Sequence, residues 1–168
     1  MIFVPTDLEA GEKFSPSSAD QKHLLKVLRL HQGDRVDGSD GRRRLLCEVV
    51  AATKSKIELR VVAVEPLQDA RRLSLAIAKI DTNRFEAAIS AAAQMAVREV
   101  YAVGCERATP GPLAMDRLNR VAREAAKQVG CPFFPEFQQL LGVPELAERI
   151  RGRLAFLMDP YATETLLE

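Results

Sequence analysis

The chain has no apolar run near the roughly 18–20 residues that a membrane-crossing helix needs. Its start, Met1 to Phe14, shows no basic segment leading into a long apolar stretch, so a secretory signal is not expected. Cysteine is scarce. Cys47, Cys105 and Cys131 are odd in number, far apart and without a CxxC pair, and they read as reduced thiols of a cytoplasmic protein. His23 and His31 are the only histidines, too few and too isolated for a metal site. Net charge is nearly absent at +1, so any case for nucleic-acid binding must rest on local clustering. GxGxxG, the P-loop pattern, HExxH and GxSxG are all missing, which leaves dinucleotide, P-loop, zinc-protease and serine-hydrolase readings unsupported.

What is present suits a globular protein. The chain has 168 residues, 47% of them apolar and 28% charged, enough for one large domain or two small ones. The first part reads as short strands around one helix. Ile2-Phe3-Val4 is a brief strand stopped by Pro5. Ser18 followed by Gln21 has capping-box spacing, and Leu24, Val27 and Leu28 recur at i, i+3, i+4, which predicts a helix over 18–29. Gly38-Ser39-Asp40-Gly41 is a turn cluster. Leu45–Ala51 and Ile57–Glu65 are strand-like on either side of the polar Thr53-Lys54-Ser55-Lys56. Pro66 to Arg72 carries no period and reads as a linker.

Beyond it the rhythm changes. Leu73–Ala78 and Val97–Val103 read as buried strands, with a helix between them that Asn83 and Glu86 can open. Leu118, Val121, Ala122, Ala125 and Val129 mark a second helix over about 114–129. Phe133–Phe137 is a possible short strand, Pro144 suits the start of a helix to about Arg151, and Leu154–Met158 reads as one more strand. Such alternation implies a parallel sheet with crossover helices. The chain stops a few residues after that last strand, so the sheet reads as incomplete.

Three basic features stand out. Residues 20–44 hold seven Lys/Arg against four Asp, including Lys26, Arg29 and the run Arg42-Arg43-Arg44. This is either a phosphate-contacting hairpin beside a basic helix or a solvated charged hairpin. On the 114–129 helix, Arg120, Arg123 and Lys127 fall within roughly 60° of one another. That face can lie along an RNA backbone or simply meet solvent, with Glu124 pairing to Arg120. Lys79, Asp81 and Arg84 follow the first α/β strand and Glu106-Arg107 the second, at the carboxyl ends where such sheets place ligand groups.

Together these segments resemble one family. His23-Leu24-Leu25-Lys26-Val27-Leu28-Arg29-Leu30, Gly33-Asp34 and Asp40-Gly41 are similar to the N-terminal signature of the bacterial ribosomal small-subunit RNA methyltransferase E family. Lys79, Arg84-Phe85-Glu86, Glu106-Arg107 and the run Arg117, Glu124-Ala125, Gln128, Pro135 continue the resemblance to about residue 160. It implies an α/β protein with a PUA-like RNA-binding β-barrel over 1–66 and a SPOUT-type domain over 73–168. It also implies S-adenosylmethionine-dependent N3-methylation of a uridine in 16S rRNA, with the small ribosomal subunit as partner and a homodimer as assembly. Local charge and the resemblance together make His23, Lys26, Arg29, Arg42, Arg43, Arg44, Lys79, Arg84, Arg107, Arg120, Arg123 and Lys127 the candidate RNA contacts. The family's Gly-Pro-Glu-Gly-Gly loop is not recognisable, Asp159-Pro160-Tyr161-Ala162-Thr163 standing nearest, and the later knot-forming segment is missing. The resemblance therefore implies an incomplete domain that keeps RNA binding without a methyl-donor site, or else a non-catalytic RNA-binding or assembly protein.

Overall fold

A computed structural model describes residues 1–78, 81–106, 112–159 and 161, with only the backbone of 139–141. Its first sheet comes from β1 (Ile2–Phe3), β2 (Lys13–Phe14), β3 (Arg35–Ser39), β4 (Arg43–Ala52) and β5 (Ile57–Pro66). The spatial order is β1-β3-β4-β5-β2, antiparallel except for the β1–β3 pair. Period-2 alternation sets its inner face. Leu45, Cys47 and Val49 of β4 and Ile57, Leu59 and Val61 of β5 are all buried, each contributing about 1.5–3 kcal/mol of apolar transfer. Register shifts between Leu46 and Cys47 and between Val49 and Ala51 leave extra residues in this pair, and such bulges increase twist and curl the sheet.

Helix α1 (Ser18–Lys22) and a π-helical turn (His23–Val27) lie over that core and plug it with the fully buried Leu24. The expected helix over 18–29 is thus split into two geometries. Its cap is also one residue earlier than the Ser18–Gln21 spacing suggested. Ser17 accepts from the Asp20 backbone N–H, and Gln21 instead donates to the Pro16 carbonyl. Arg29, at φ +54°, ends the turn in the left-handed region, and the Leu30 N–H closes back on the Leu24 carbonyl.

The second sheet holds β6 (Ser74–Ala78), β7 (Glu99–Gly104) and β8 (Glu136–Gly142), all parallel and in that order. Crossovers run through α2 (Thr82–Gln94) and α3 (Met115–Gln128). Two successive crossovers moving the same way place both helices on one face. There Phe85, Ile89 and Ala92 of α2 meet Leu118, Ala122 and Ala125 of α3 over Val100 and Ala102. On the other face Tyr101 is buried, with Arg149 of α4 (Val143–Arg149) 5.6 Å over its ring and Glu99 accepting its hydroxyl.

Three expectations change here. Asp81, not Asn83, caps α2 by accepting from the Arg84 N–H. The strand expected at Phe133–Phe137 begins only at Glu136, because Phe134 packs between the two sheets and Phe133 stacks under the Arg71 guanidinium. Leu154–Met158 forms no strand among the described residues. Gly152 at φ +75° turns the chain, Arg153 bonds the Ser74 hydroxyl at 2.9 Å, and the apolar run beyond stays exposed without a ladder partner.

The two sheets meet through a short, specific contact. Phe134 stands edge-on to Phe3 at 5.2 Å, and Ser39 donates to the Pro132 carbonyl at 2.8 Å. The segment expected as a loose linker is pinned. Arg71 donates to the carbonyls of Val97 and Phe134, pairs with Asp69 and stacks 4.5 Å over Phe133.

Candidate nucleic-acid interface

The basic residues singled out in the sequence do not all present free charge. On the β3–β4 hairpin Arg43 is mostly buried, bonded to Asp40 at 2.8 Å and Glu9 at 2.9 Å. Burial raises the Asp40 carboxyl, but hydrogen bonds from the Arg42 and Arg43 backbones and the Arg43 side chain leave it below the usual range. Arg43 therefore braces the turn rather than reaching outward; one of its terminal nitrogens, Nη2, is buried without a partner. Arg44 pairs with Asp37 at 3.2 Å, and Arg42 alone of the run is exposed and outside any ion pair among the described residues.

Helix α3 divides in the same way. Lys127 donates to Asp20 at 2.8 Å and Glu124 at 2.9 Å, fastening α3 to α1 across the contact between the sheets. The Lys127 ammonium, a candidate RNA contact in the sequence, is ion-paired and largely buried. Glu124 pairs with Lys127, not with Arg120. Arg123 stacks over Phe134 at 4.8 Å, while Arg120 is exposed. Arg117 bonds Glu86 of α2 at 2.9 Å, and Gln94 and Gln128 bond each other across the two helices.

At the strand ends Arg84 pairs with Asp81 at 3.4 Å. Lys79 and Arg107 lie outside the described residues. Cys105 and Glu106 are exposed after β7. His23, Lys26 and Arg29 are exposed on the π-helical turn and at its end. Of these, Lys26 lines a cleft of about 600 Å³ whose walls are α1 with that turn and the β4–β5 hairpin. The hairpin contributes Lys54, Ser55 and Lys56, which sequence reading passed over as a polar connection. Nothing in the linear spacing signals that they face Lys22 and Lys26; only the sheet brings them together.

A family model for the RNA methyltransferase domain matches residues 68–168. The chain belongs to this family. That bears out the resemblance read from the sequence. No curated protein matches the chain. Among solved structures, a Legionella pneumophila protein assigned as a methyltransferase and determined with bound S-adenosylmethionine is 19% identical, with TM-score 0.79 over 99% of this chain and 72% of that one. Ribosomal RNA small subunit methyltransferase E from Neisseria gonorrhoeae, bound to S-adenosylmethionine, is 18% identical, with TM-score 0.69 over 90% of this chain and 65% of that one. A Porphyromonas gingivalis protein assigned as an rRNA methyltransferase is 24% identical, with TM-score 0.73 over 86% of this chain and 62% of that one. At these identities the likeness is one of fold. The chain spans less than two thirds of the Neisseria and Porphyromonas proteins.

The methyl donor needs an enclosed cleft, and open parallel sheets place such clefts at the carboxyl ends of their strands. Two clefts among the described residues lie on the five-stranded sheet. At the described strand ends Asp81 is occupied as a cap and Arg84 as its ion partner. Among the described residues no acidic, thiol or imidazole cluster suits a metal ion, and no helix is long and apolar enough to cross a membrane.

Proposed function

We propose that the protein acts in S-adenosylmethionine-dependent methylation of ribosomal RNA, with N3 of a 16S rRNA uridine as acceptor. Residues 1–66 serve as a PUA-like RNA-binding module and residues 73–168 as part of a SPOUT-type domain. In this reading the chain supplies RNA recognition, and the donor site is not complete within it. The homodimer of the family is the proposed assembly, in or around the cytoplasmic small ribosomal subunit.

The observation that carries the reaction class is the match of the RNA methyltransferase domain to 68–168, where the parallel sheet and its crossover helices lie. The reading of an incomplete donor site is supported by the solvated Leu154–Met158 run and by the absence of the Gly-Pro-Glu-Gly-Gly sequence. Uridine N3 carries a weakly acidic N–H. Its methylation needs a proton acceptor or a stabiliser of the developing anion, with the donor methyl held in line.

The test is transfer of tritiated methyl from S-adenosylmethionine to 16S rRNA, followed by nucleoside digestion. The purified chain alone is expected to transfer no label, while still retaining rRNA on a filter. Efficient transfer by the chain alone sinks the incomplete-site reading. A chain that neither transfers label nor retains rRNA sinks the ribosomal RNA assignment.

A further inference from the structure

We propose that the cleft between α1 with its π-helical turn and the β4–β5 hairpin is a preformed seat for the RNA sugar–phosphate backbone, gripped by Lys22, Lys26, Lys54 and Lys56. This deepens the RNA-recognition role proposed above and rests on it, and it assigns that role to side chains other than the arginine run.

Charge balance is the first argument. The lining of this cleft of about 600 Å³ includes four lysines and no carboxylate. Several other cations are matched: Arg43 to Asp40 and Glu9, Arg44 to Asp37, Arg84 to Asp81, Arg117 to Glu86, Lys127 to Asp20 and Glu124. None of the four cleft lysines takes part in an ion pair among the described residues. Arg42 and Arg120 are exposed and unpaired there too, but each stands apart from this cleft, whereas four ammonium groups share its one concave surface. Like charges around one concave surface repel, and a polyanion that neutralises them gains by releasing its own counterions.

Rigidity is the second argument. Gln21 lies between the two walls and ties them. Its amide nitrogen donates to the Pro16 carbonyl at 2.9 Å, and its oxygen accepts from the Ile57 N–H at 3.4 Å. The hairpin tip is closed by Thr53, whose backbone N–H donates to the Lys56 carbonyl at 2.8 Å and whose hydroxyl accepts from the Lys56 N–H at 3.0 Å. The helix and hairpin backbones that carry the lysines are thus tied together before any ligand arrives, by the Gln21–Ile57 bond. Preorganisation of this kind lowers the cost of binding. Ser18 and Ser55 add hydroxyls to the lining, and neutral donors of that type bond phosphate oxygens or the ribose 2′-hydroxyl.

The experiment uses the full chain and a fluorescein-labelled single-stranded RNA 20-mer of mixed sequence, titrated by anisotropy across a salt series. Four phosphate contacts give a slope of log K against log salt of about −3. Lys54→Ala/Lys56→Ala and Lys22→Ala/Lys26→Ala are each expected to flatten that slope by about 1.4 and weaken binding about tenfold or more. Arg151→Ala, two residues past α4 and paired with Glu148, serves as the comparison for loss of an exposed cation away from the cleft and is expected to shift affinity less than about twofold. All four cleft lysines are exposed, and circular dichroism checks that each variant keeps its fold. RNA binding whose slope and affinity are untouched by both double substitutions overturns the assignment, as does a wild-type chain that binds no RNA at low salt. Retention of a 16S rRNA fragment is read beside the 20-mer. Lysine-dependent binding of the 20-mer by a chain that does not retain the rRNA fragment removes the ribosomal RNA assignment and leaves the cleft standing. Retention of the rRNA fragment with lysine-independent binding does the reverse.

Discussion

Replacing Lys127 by Met removes the positive half of the ion pair that joins the two sheets. The side chains of Lys127 and Asp20 are 17% and 8% exposed and bond at 2.8 Å. Breaking a buried pair from one side costs about 3–5 kcal/mol, because the other charge is left without compensation. Here Asp20 keeps the Ser17 hydroxyl at 2.7 Å, so the expected loss is nearer about 2–3 kcal/mol. For a chain of this size that lowers Tm by about 5–10 °C. Urea unfolding of Lys127→Met, Asp20→Asn and the double variant closes the cycle, and a coupling of at least about 1 kcal/mol is expected.

The pH dependence of this pair is equally specific. Burial pushes the Lys127 ammonium down, but its hydrogen bonds to Asp20 and Glu124 more than reverse this, and its pKa lies above the ordinary lysine value. A group raised on folding stabilises fully below its unfolded pKa and ceases to do so as pH rises through the folded one. The gap between wild type and Lys127→Met should therefore stay constant through neutral pH and close only under strongly alkaline conditions. Strictly additive single losses, or a gap that closes between about pH 5 and 8, would refute the reasoning.

Three further outcomes follow from particular contacts. Gly41 sits at φ +88° with a substituted Cβ only 3.2 Å from Phe134, whereas Gly33, at φ +90°, would meet nothing within 4 Å. Gly33→Ala should thus cost about 1–2 kcal/mol of backbone strain and Gly41→Ala visibly more by urea unfolding; equal losses would contradict the Phe134 packing. Arg71→Lys keeps the charge but loses the fork that reaches two carbonyls, so limited proteolysis should cut the 67–73 segment faster than in wild type. Burial pushes the Cys47 thiol up to about 11. In a native thiol titration Cys105 should react first and Cys47 only after denaturant is added.

Local patterning made much of the fold legible. The alternation Leu45, Cys47, Val49 and Leu59, Val61 marks a strand pair whatever its partners, and Leu118, Ala122 and Ala125 mark one helical face. Boundaries failed where a tertiary contact competes with local pattern. Phe133 and Phe134 look like strand residues, yet Phe134 packs between the sheets and Phe133 against Arg71, so β8 starts later. Leu154–Met158 is as apolar as a buried strand but has no ladder neighbour to accept it. Charge was the least legible property. Arg43 and Lys127 look free in sequence, but Glu9 and Asp20, which lie 34 and 107 positions away, neutralise them. Conversely, Lys54 and Lys56 matter only because the sheet sets them opposite Lys22 and Lys26.

The proposal that this chain recognises RNA while its methyl-donor site is incomplete is tested most directly by isothermal titration of S-adenosylmethionine into the purified chain, with and without a 16S rRNA fragment already bound. Saturable heat is expected for the RNA and none for the donor in either state. Saturable donor binding with Kd on the order of micromolar, about −8 kcal/mol, would contradict it.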